Sequence, residues 1–328
     1  MIFKRSSLIV SVILLVGLAG AIFWWKNWST KSEPLKLGVT FSTAYSYNLG
    51  LDPRETFLAL LDDLQIKDFR VPIYWSEIEP ARGEFDWQML DFIVTEAARH
   101  DAKLTLVIGR KVPRWPECFI PNWAEGLIGS QADEAVLKME KTVVERYKDN
   151  PTVERWQIEN EPFFPFGICP APSQDLLNEE ISLVRSLDDR SIMLTVSGEM
   201  DPWFSTARSA DVLGISMYRL SYNPAFGFVP YPLTPFVYRF RAWLMSPFLK
   251  EDVIISELQA EPWFTKSFDE LTGKERAAAF TANDLQTNIN FAVETGFSKA
   301  YLWGAEWWYL EKLAGRAELW QAAKVLFK

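Results

Sequence analysis

The sequence has few of the residues that hold metal ions. Among 328 residues there is one histidine, His100, and there are two cysteines, Cys118 and Cys169. A structural zinc site takes four ligands drawn mainly from these two residue types. We therefore expect no metal, and no motif in the chain suggests an organic cofactor.

The chain also lacks the features of a nucleic-acid or nucleotide partner. Residues 1–31 contain no acidic residue, so the remainder holds 30 basic and 43 acidic residues, a net charge of −13. A surface of this charge repels phosphate backbones, and no basic cluster interleaved with aromatic residues offsets it. No Gly-rich loop of the Walker type is present. We expect no nucleic acid partner.

One long hydrophobic run lies near the N-terminus. Residues 8–25, LIVSVILLVGLAGAIFWW, carry no charge, and as a helix they would span roughly 27 Å, nearly a bilayer. Ala19-Gly20-Ala21 resembles a signal-peptide cleavage site, but the apolar run continues beyond it. We therefore divide the chain into an anchor or signal segment, residues 1–31, and a catalytic domain, residues 32–328. The expected location is the cell membrane, single-pass with an extracytoplasmic domain, or outside the cell after cleavage.

Residues 32–328 alternate short β-rich runs with longer amphipathic runs. Eight strands are predicted, and the predicted helices between them also number eight, for example 55–66 and 274–296. Eight such units within about 290 residues favour a single (β/α)8 TIM barrel over a doubly wound sheet. The predicted strands are 36–41, 68–74, 103–109, 153–159, 191–197, 211–217, 252–258 and 299–305.

Two glutamates end predicted strands of this barrel. Glu161 closes the fourth strand in WQIENEP, and Glu257 closes the seventh in VIISELQ. Barrel enzymes place their chemistry at these strand ends, and a glycosidase needs two carboxyl groups on either side of the scissile bond. A strand-end glutamate alone is more often a salt-bridge partner or a helix cap. Their joint placement makes a catalytic pair the better interpretation.

These motifs resemble the retaining glycoside hydrolases of clan A, which include cellulases, mannanases, xylanases and β-glycosidases. The resemblance implies that Glu161 is the acid/base, that Glu257 is the nucleophile, and that Asn160 binds the sugar 2-hydroxyl. In FRVPIYWSEIEPARGEFDW it implies that Arg70 hydrogen-bonds the nucleophile. From GISMYR and YLWGAEWWY it implies that Tyr218 also hydrogen-bonds the nucleophile and that Trp303 is the floor of the sugar subsite.

Some features depart from that pattern or compete with it. Several clan A families have histidines near the catalytic pair, whereas His100 follows a predicted helix. Glu159 is expected to make a structural contact, and Glu261 and Glu306 to line the cleft without reacting.

The loop GRKVPRWPECFIPNW carries Arg110, Arg114, Trp115, Glu117 and Trp123 over the same face, and we assign it, with Trp115 as its main contact, to sugar subsites; a hydrophobic cap against the membrane or a partner is the alternative. Cys118 and Cys169 follow neighbouring strands and are expected to form a disulfide rather than two free thiols.

The expected function is that of a retaining glycoside hydrolase that cleaves β-glycosidic bonds in an oligo- or polysaccharide. The alternatives are a catalytically inactive carbohydrate-binding barrel and a transglycosylase, which needs only a sugar acceptor in place of water. The expected partners are the carbohydrate substrate and, through the N-terminal helix, the membrane. We expect the protein to be a monomer.

Overall fold

The computed structural model describes residues 15–17, 20, 34–170, 173–223, 225–264 and 270–328. Within them, eight parallel strands form a closed barrel in which each strand pairs with the next and the last pairs with the first. The predicted (β/α)8 barrel is confirmed. Its strands are β1 (Lys36–Thr40), β2 (Asp68–Pro72), β3 (Lys103–Ile108), β4 (Val153–Ile158), β5 (Ile192–Val196), β6 (Val212–Met217), β7 (Val253–Gln259) and β8 (Lys299–Trp303).

The barrel strands are buried on both faces. All residues of β5, β6, β7 and β8 are buried. One face packs into the barrel and the other packs against the surrounding helices, as in other parallel sheets. Burial on both faces therefore favours mostly apolar runs, although polar residues such as Arg70, Gln157 and Glu257 are also buried in these strands.

Helices surround the barrel and also cover part of its rim. Most were predicted within a few residues of their observed bounds. Those in the described part of the chain are Thr43–Asn48, Pro53–Asp62, Trp75–Ile78, Gln88–Arg99, Ser130–Tyr147, Gln174–Leu187, Phe204–Ala207, Pro235–Met245, Gly273–Ala279, Ala282–Thr295, Ala305–Leu313 and Glu318–Leu326, with a 3₁₀ turn at Ser246–Phe248.

The helix predicted over residues 274–296 is two helices. Phe280 is extended, with φ −155°, and Thr281 caps the second helix by accepting a hydrogen bond from the backbone N–H of Asp284. Asp284 in turn accepts from the backbone N–H of Thr281 at 2.8 Å. This reciprocal capping box satisfies the free N–H groups at the start of the second helix. The helix is therefore interrupted here, although the amphipathic pattern of the sequence continues through the interruption.

Several elements were not predicted, among them the short helices Thr43–Asn48 and Trp75–Ile78. A hairpin of two antiparallel strands, Leu220–Asn223 and Gly227–Pro230, follows β6. The predicted strand 299–305 ends at Trp303, because Gly304 adopts φ 127° and the helix Ala305–Leu313 begins directly after it. Glycine reaches that backbone conformation without the steric cost that other residues carry.

The predicted membrane segment lies almost entirely outside the described residues. Of positions 8–25, the structure describes only 15–17 and 20. Among all described residues, no helix is both long enough and apolar enough to cross a bilayer.

Candidate active site

Four of the predicted site residues meet at the carboxyl ends of the barrel strands. Arg70 comes from β2, Asn160 follows β4, Tyr218 follows β6 and Glu257 lies on β7. All are linked by hydrogen bonds through Arg70 or Glu257. The barrel therefore brings together residues that are up to 187 positions apart in the chain.

Glu161 is placed by a sharp change of backbone direction after β4. Glu159 and Glu161 have positive φ angles, 54° and 43°, a region that few residues other than glycine adopt. The backbone N–H of Asn160 donates to the carbonyl of Lys111 at 2.6 Å, and that of Glu161 donates to Oγ1 of Thr195 at 2.8 Å. These bonds hold a conformation that is otherwise costly, and such conformations cluster at functional sites.

The surroundings of Glu161 favour its protonated form. The residue is 7% exposed, and Oε1 has no hydrogen-bond partner among the described residues. Burial, followed by the negative charges of Glu257 and Glu117, raises the pKa of Glu161 well above its usual value. A carboxyl group in these surroundings holds its proton more tightly than an exposed one, as a general acid requires.

Both oxygens of Glu257 accept hydrogen bonds. Nη1 of Arg70 donates to Oε1 at 2.8 Å, and the phenol of Tyr218 donates to Oε2 at 2.9 Å. Burial and the charge of Glu257 raise the pKa of Tyr218 well above its usual value, so its hydroxyl remains a donor. The two donors orient the carboxylate and stabilise its negative charge.

Arg70 connects the two halves of the site. Its side chain is fully buried, and besides Glu257 it donates from Nε to Oε1 of Gln157 at 2.7 Å and from Nη2 to Oδ1 of Asn160 at 2.8 Å. Because Oδ1 of Asn160 is an acceptor here, its Nδ2 group is turned away from Arg70 and is available as a donor. The guanidinium thus sets the orientation of both Glu257 and Asn160.

Trp303 packs against a charged group. The guanidinium of Arg114 lies 3.9 Å from the centre of the Trp303 ring and 3.7 Å from that of Tyr45, an arrangement stabilised by cation–π attraction. Trp303 is 8% exposed. One face of the predicted subsite floor is therefore covered by Arg114, which sequence analysis did not predict.

Arg114 also engages two of the competing acids. It forms ion pairs with Glu261 and, at 3.4 Å, with Glu306. Burial raises the pKa of Glu306 to about 7, although Arg114 opposes the shift. Both acids are thus paired with Arg114, whereas Glu257 is paired with Arg70; that they line the cleft without reacting stays a prediction.

Glu159 has the structural role that was expected. Its carboxylate accepts hydrogen bonds from the backbone N–H groups of Arg110 and Lys111 at 2.8 and 2.7 Å. A Cβ at Gly109, whose φ is 127°, would lie 2.8 Å from Cδ of Glu159. Glu159 therefore fixes the start of the loop after β3.

Trp115 lies at the tip of the loop that follows β3. Its side chain is 58% exposed, and its ring contacts the edge of Phe166 at 5.9 Å between centroids. The backbone N–H of Ile168 donates to the carbonyl of Pro116 at 2.9 Å. The loops after β3 and β4 are thus joined, and Trp115 remains open to a ligand.

The predicted disulfide joins the same two loops. Cys118 and Cys169 are bonded, with 5.3 Å between their Cα atoms and a sequence separation of 51. In the chain-entropy model, closing a loop of this length stabilises the folded state by about 4 kcal/mol. We expect the double variant Cys118→Ser/Cys169→Ser to lose stability of that order in urea denaturation. An unchanged free energy of unfolding, or two alkylated thiols in the unreduced wild-type protein, would contradict this.

Several polar residues of the site were not predicted. Lys111 donates from Nζ to the backbone carbonyls of Glu161 and Phe164 at 2.9 and 2.8 Å. The only signal for Lys111 in the sequence is its position in the loop after β3. Glu117, which the sequence analysis named with that loop, lies beside Asn160. Gln157, Thr195 and Glu199 also contact predicted site residues.

The described residues contain no group of three or more His, Cys, Asp and Glu side chains arranged to hold a metal ion. His100 lies at the end of the helix Gln88–Arg99, where its Nε2 is 2.9 Å from Oδ1 of Asp62 and its Nδ1 is 2.7 Å from the carbonyl of Glu96. Its hydrogen bonds place it on the helical layer, outside the catalytic cluster.

Buried carboxyls make the stability depend on pH. Burial raises the pKa of Glu117 to about 8 and those of Glu199 and Glu306 to about 7, against about 4.3 in an unfolded chain. Between these values the folded state binds more protons, so the stability that these three carboxyls contribute is fully present below about pH 4.5 and is lost as the pH rises to about 8. Urea denaturation at pH 5 and pH 8 tests this, and Glu306→Gln should reduce the difference. Greater stability at pH 8 would contradict the prediction.

Comparison with curated proteins finds partial relatives among polysaccharide hydrolases. No protein-family model matches the chain. A segment is 31% identical over 119 residues to mannan endo-1,4-beta-mannosidase 1 of Arabidopsis thaliana, covering 32% of this chain and 29% of the relative. Another is 36% identical over 100 residues to endo-1,4-beta-xylanase A of Halalkalibacterium halodurans, covering 26% and 24%. The matches thus span about a quarter to a third of these relatives.

Among solved structures, the barrel is similar to a family 10 endo-beta-1,4-xylanase from Gloeophyllum trabeum. The TM-score is 0.56 at 17% identity, over 83% of this chain and 84% of that one. The predicted resemblance to clan A glycoside hydrolases is confirmed. The solved structure supports the fold, and the partial relatives support the resemblance in sequence.

Proposed function

We propose that this chain is a retaining glycoside hydrolase acting on β-glycosidic bonds. The observation that carries the proposal is the contrast between two buried carboxyls. Glu161 has a raised pKa and an unpaired oxygen, whereas Glu257 has both oxygens held by donors. Pairs of carboxyls with opposed surroundings are the mark of an acid and a nucleophile.

In the first step, Glu161 protonates the glycosidic oxygen while Glu257 attacks the anomeric carbon. The bond to the leaving group breaks, its oxygen takes the proton, and a glycosyl ester forms on Glu257. Asn160, held by Arg70, would donate from Nδ2 to the 2-hydroxyl. Arg70 and Tyr218 align the attacking carboxylate.

In the second step, Glu161 changes from acid to base because the charge of Glu257 has changed. Esterification removes the negative charge of Glu257, one of the causes of the raised pKa of Glu161. That pKa therefore falls, and Glu161 can deprotonate a water molecule. The water attacks the anomeric carbon and releases Glu257, with net retention of configuration.

The proposed substrate is a β-linked oligo- or polysaccharide, and the partial relatives are named for mannan and xylan hydrolysis. Aryl β-glycosides and β-linked polysaccharides, incubated with the full chain and with residues 32–328, test the activity. Release of sugar is the expected result. Binding without turnover would favour an inactive carbohydrate-binding barrel, and glycosyl transfer to sugar acceptors in preference to water would favour a transglycosylase.

We also propose that residues 8–25 anchor the protein in the cell membrane, with the barrel outside the cytoplasm. The uncharged length of this run supports the proposal. Fractionation and N-terminal sequencing of the expressed full chain provide the test. An intact N-terminus in the membrane fraction is expected. A mature protein that begins near residue 22 and is secreted would favour signal cleavage. The monomeric state stays a prediction, which light scattering can test.

A further inference from the structure

A third carboxyl, that of Glu117, lies beside the catalytic pair. The loop after β3 doubles back, because Lys111 pairs with Cys118 as an isolated antiparallel bridge. The backbone N–H of Glu117 donates to the carbonyl of Arg114 at 2.6 Å, and its own carbonyl accepts from Val112 at 2.8 Å. This path gives Glu117 a positive φ of 75° and buries its side chain to 5% exposure.

The partners of Glu117 hold its carboxyl only at long distances. Nδ2 of Asn160 lies 3.4 Å from each of its two oxygens, and Nζ of Lys111 is 3.6 Å from Oε2. Good N–H···O hydrogen bonds are about 2.9–3.0 Å long, so these contacts are weak. Lys111 makes its short bonds to the carbonyls of Glu161 and Phe164. A buried carboxyl with such weak donors is costly and calls for an explanation.

The surroundings place Glu117 in the catalytic cluster. The charge of Glu257 contributes to the raised pKa of Glu117, and Glu117 contributes to that of Glu161. Asn160 touches Glu117 through the same amide nitrogen that would contact the sugar 2-hydroxyl. The neighbouring hydroxyl of a bound sugar would therefore lie near the carboxyl of Glu117.

We propose that Glu117 is a sugar-binding residue whose carboxyl hydrogen-bonds the 3-hydroxyl of the sugar that reacts with Glu257. This inference rests on the proposed function. A contact of this kind selects substrates whose 3-hydroxyl is free. In the interior of a β-1,3-linked chain the 3-oxygen is substituted, so cleavage there is excluded. A buried polar group left unpaired by the wrong substrate is a strong source of discrimination.

The test measures whether replacing Glu117 changes the effect of removing the 3-hydroxyl from the substrate. Wild-type protein, Glu117→Ala and Glu117→Gln are assayed on the preferred aryl β-glycoside and on its 3-deoxy and 6-deoxy analogues. Removing the 3-hydroxyl should lower kcat/KM of the wild type about 10- to 100-fold. In Glu117→Ala the same removal should cost less than about 3-fold, and Glu117→Gln should lie between. The 6-deoxy effect should be the same in all three proteins.

A residue that merely supports the fold would give a different pattern. Glu117→Ala would then lower all rates equally, and the 3-deoxy penalty would equal that of the wild type; this result would overturn the inference. Glu77→Gln, a largely buried carboxyl that hydrogen-bonds Thr43 at 2.7 Å, serves as the control and should leave the penalty unchanged. Glu117→Gln preserves shape and carries the test if the alanine variant does not fold.

The outcome separates the two proposals. Turnover by the wild type with equal 3-deoxy penalties contradicts the role of Glu117 alone. Absence of turnover on every β-glycoside contradicts the proposed function, and the inference falls with it. Rapid interior cleavage of a β-1,3-glucan would contradict the role of Glu117 while supporting the proposed function.

Discussion

Glu257→Ala is expected to abolish turnover, lowering kcat by roughly 10⁴- to 10⁶-fold, as loss of a covalent nucleophile does in other enzymes. The variant removes the group that Arg70 and Tyr218 orient and leaves a small space at the anomeric carbon. Azide or formate can occupy that space and attack in its place. Added azide should therefore restore consumption of an aryl β-glycoside and yield the α-glycosyl azide.

The product of rescue distinguishes Glu257 from the competing acids. Glu261 and Glu306 share Arg114 instead of Arg70, so Glu261→Ala should give no α-glycosyl azide. Wild-type activity in Glu257→Ala would reject its role and return the nucleophile to Glu261 or Glu306. Measurement of both reactions by product NMR resolves the question.

Glu161→Ala is expected to have an effect that depends on the leaving group. Loss of a general acid costs about 10²- to 10⁴-fold where the leaving oxygen needs a proton. Dinitrophenyl glycosides, whose leaving group is already stable as an anion, should react in the first step nearly as in the wild type. Oligosaccharides should lose the full factor. The comparison of pre-steady-state rates on the two substrate types checks this.

The second step supplies a further test of Glu161. Without its general base the glycosyl ester should accumulate, and azide should attack it to form the β-glycosyl azide, the configuration opposite to that expected for Glu257→Ala. The α-glycosyl azide from Glu161→Ala would contradict the assignment. Equal rate losses on dinitrophenyl glycosides and oligosaccharides would contradict it as well.

The barrel was predictable because local patterns and topology agree. Each strand is a short β-rich run, and each is followed by an amphipathic segment. Helix and strand ends that depend on one or two residues were harder to predict from the sequence. The helix break at Phe280 and Thr281 lies within an uninterrupted amphipathic pattern. At Gly304 the apolar run suggests that the strand continues, but a helix begins there instead.

The clustering of the site was predictable where residues lie on barrel strands or just after them. Arg70 and Glu257 lie on β2 and β7, Asn160 and Tyr218 follow β4 and β6, and the closed barrel brings all four into hydrogen-bond contact. The place of Glu117 beside Asn160 could not be predicted, although its loop was assigned to sugar subsites, because it depends on how that long loop folds back on itself. Spacing in the sequence carries no information about such a path.

The packing of Arg114 against the Trp303 ring was not predicted, for the same reason. Arg114 reaches that ring from the loop after β3, while its two acid partners follow β7 and β8. Contacts among three loops depend on tertiary packing and leave no local pattern in the sequence.

The central claim is that Glu257 forms a covalent bond with the sugar, and mass spectrometry can test it directly. A 2-deoxy-2-fluoro β-glycoside with a dinitrophenyl leaving group slows both steps but allows the first, so the glycosyl-enzyme accumulates. We predict a mass increase of one fluoroglycosyl group, located by peptide mapping at Glu257, together with a β-configured product from the ordinary substrate. An adduct on Glu261 or Glu306, or no adduct with an α-configured product, would contradict the account.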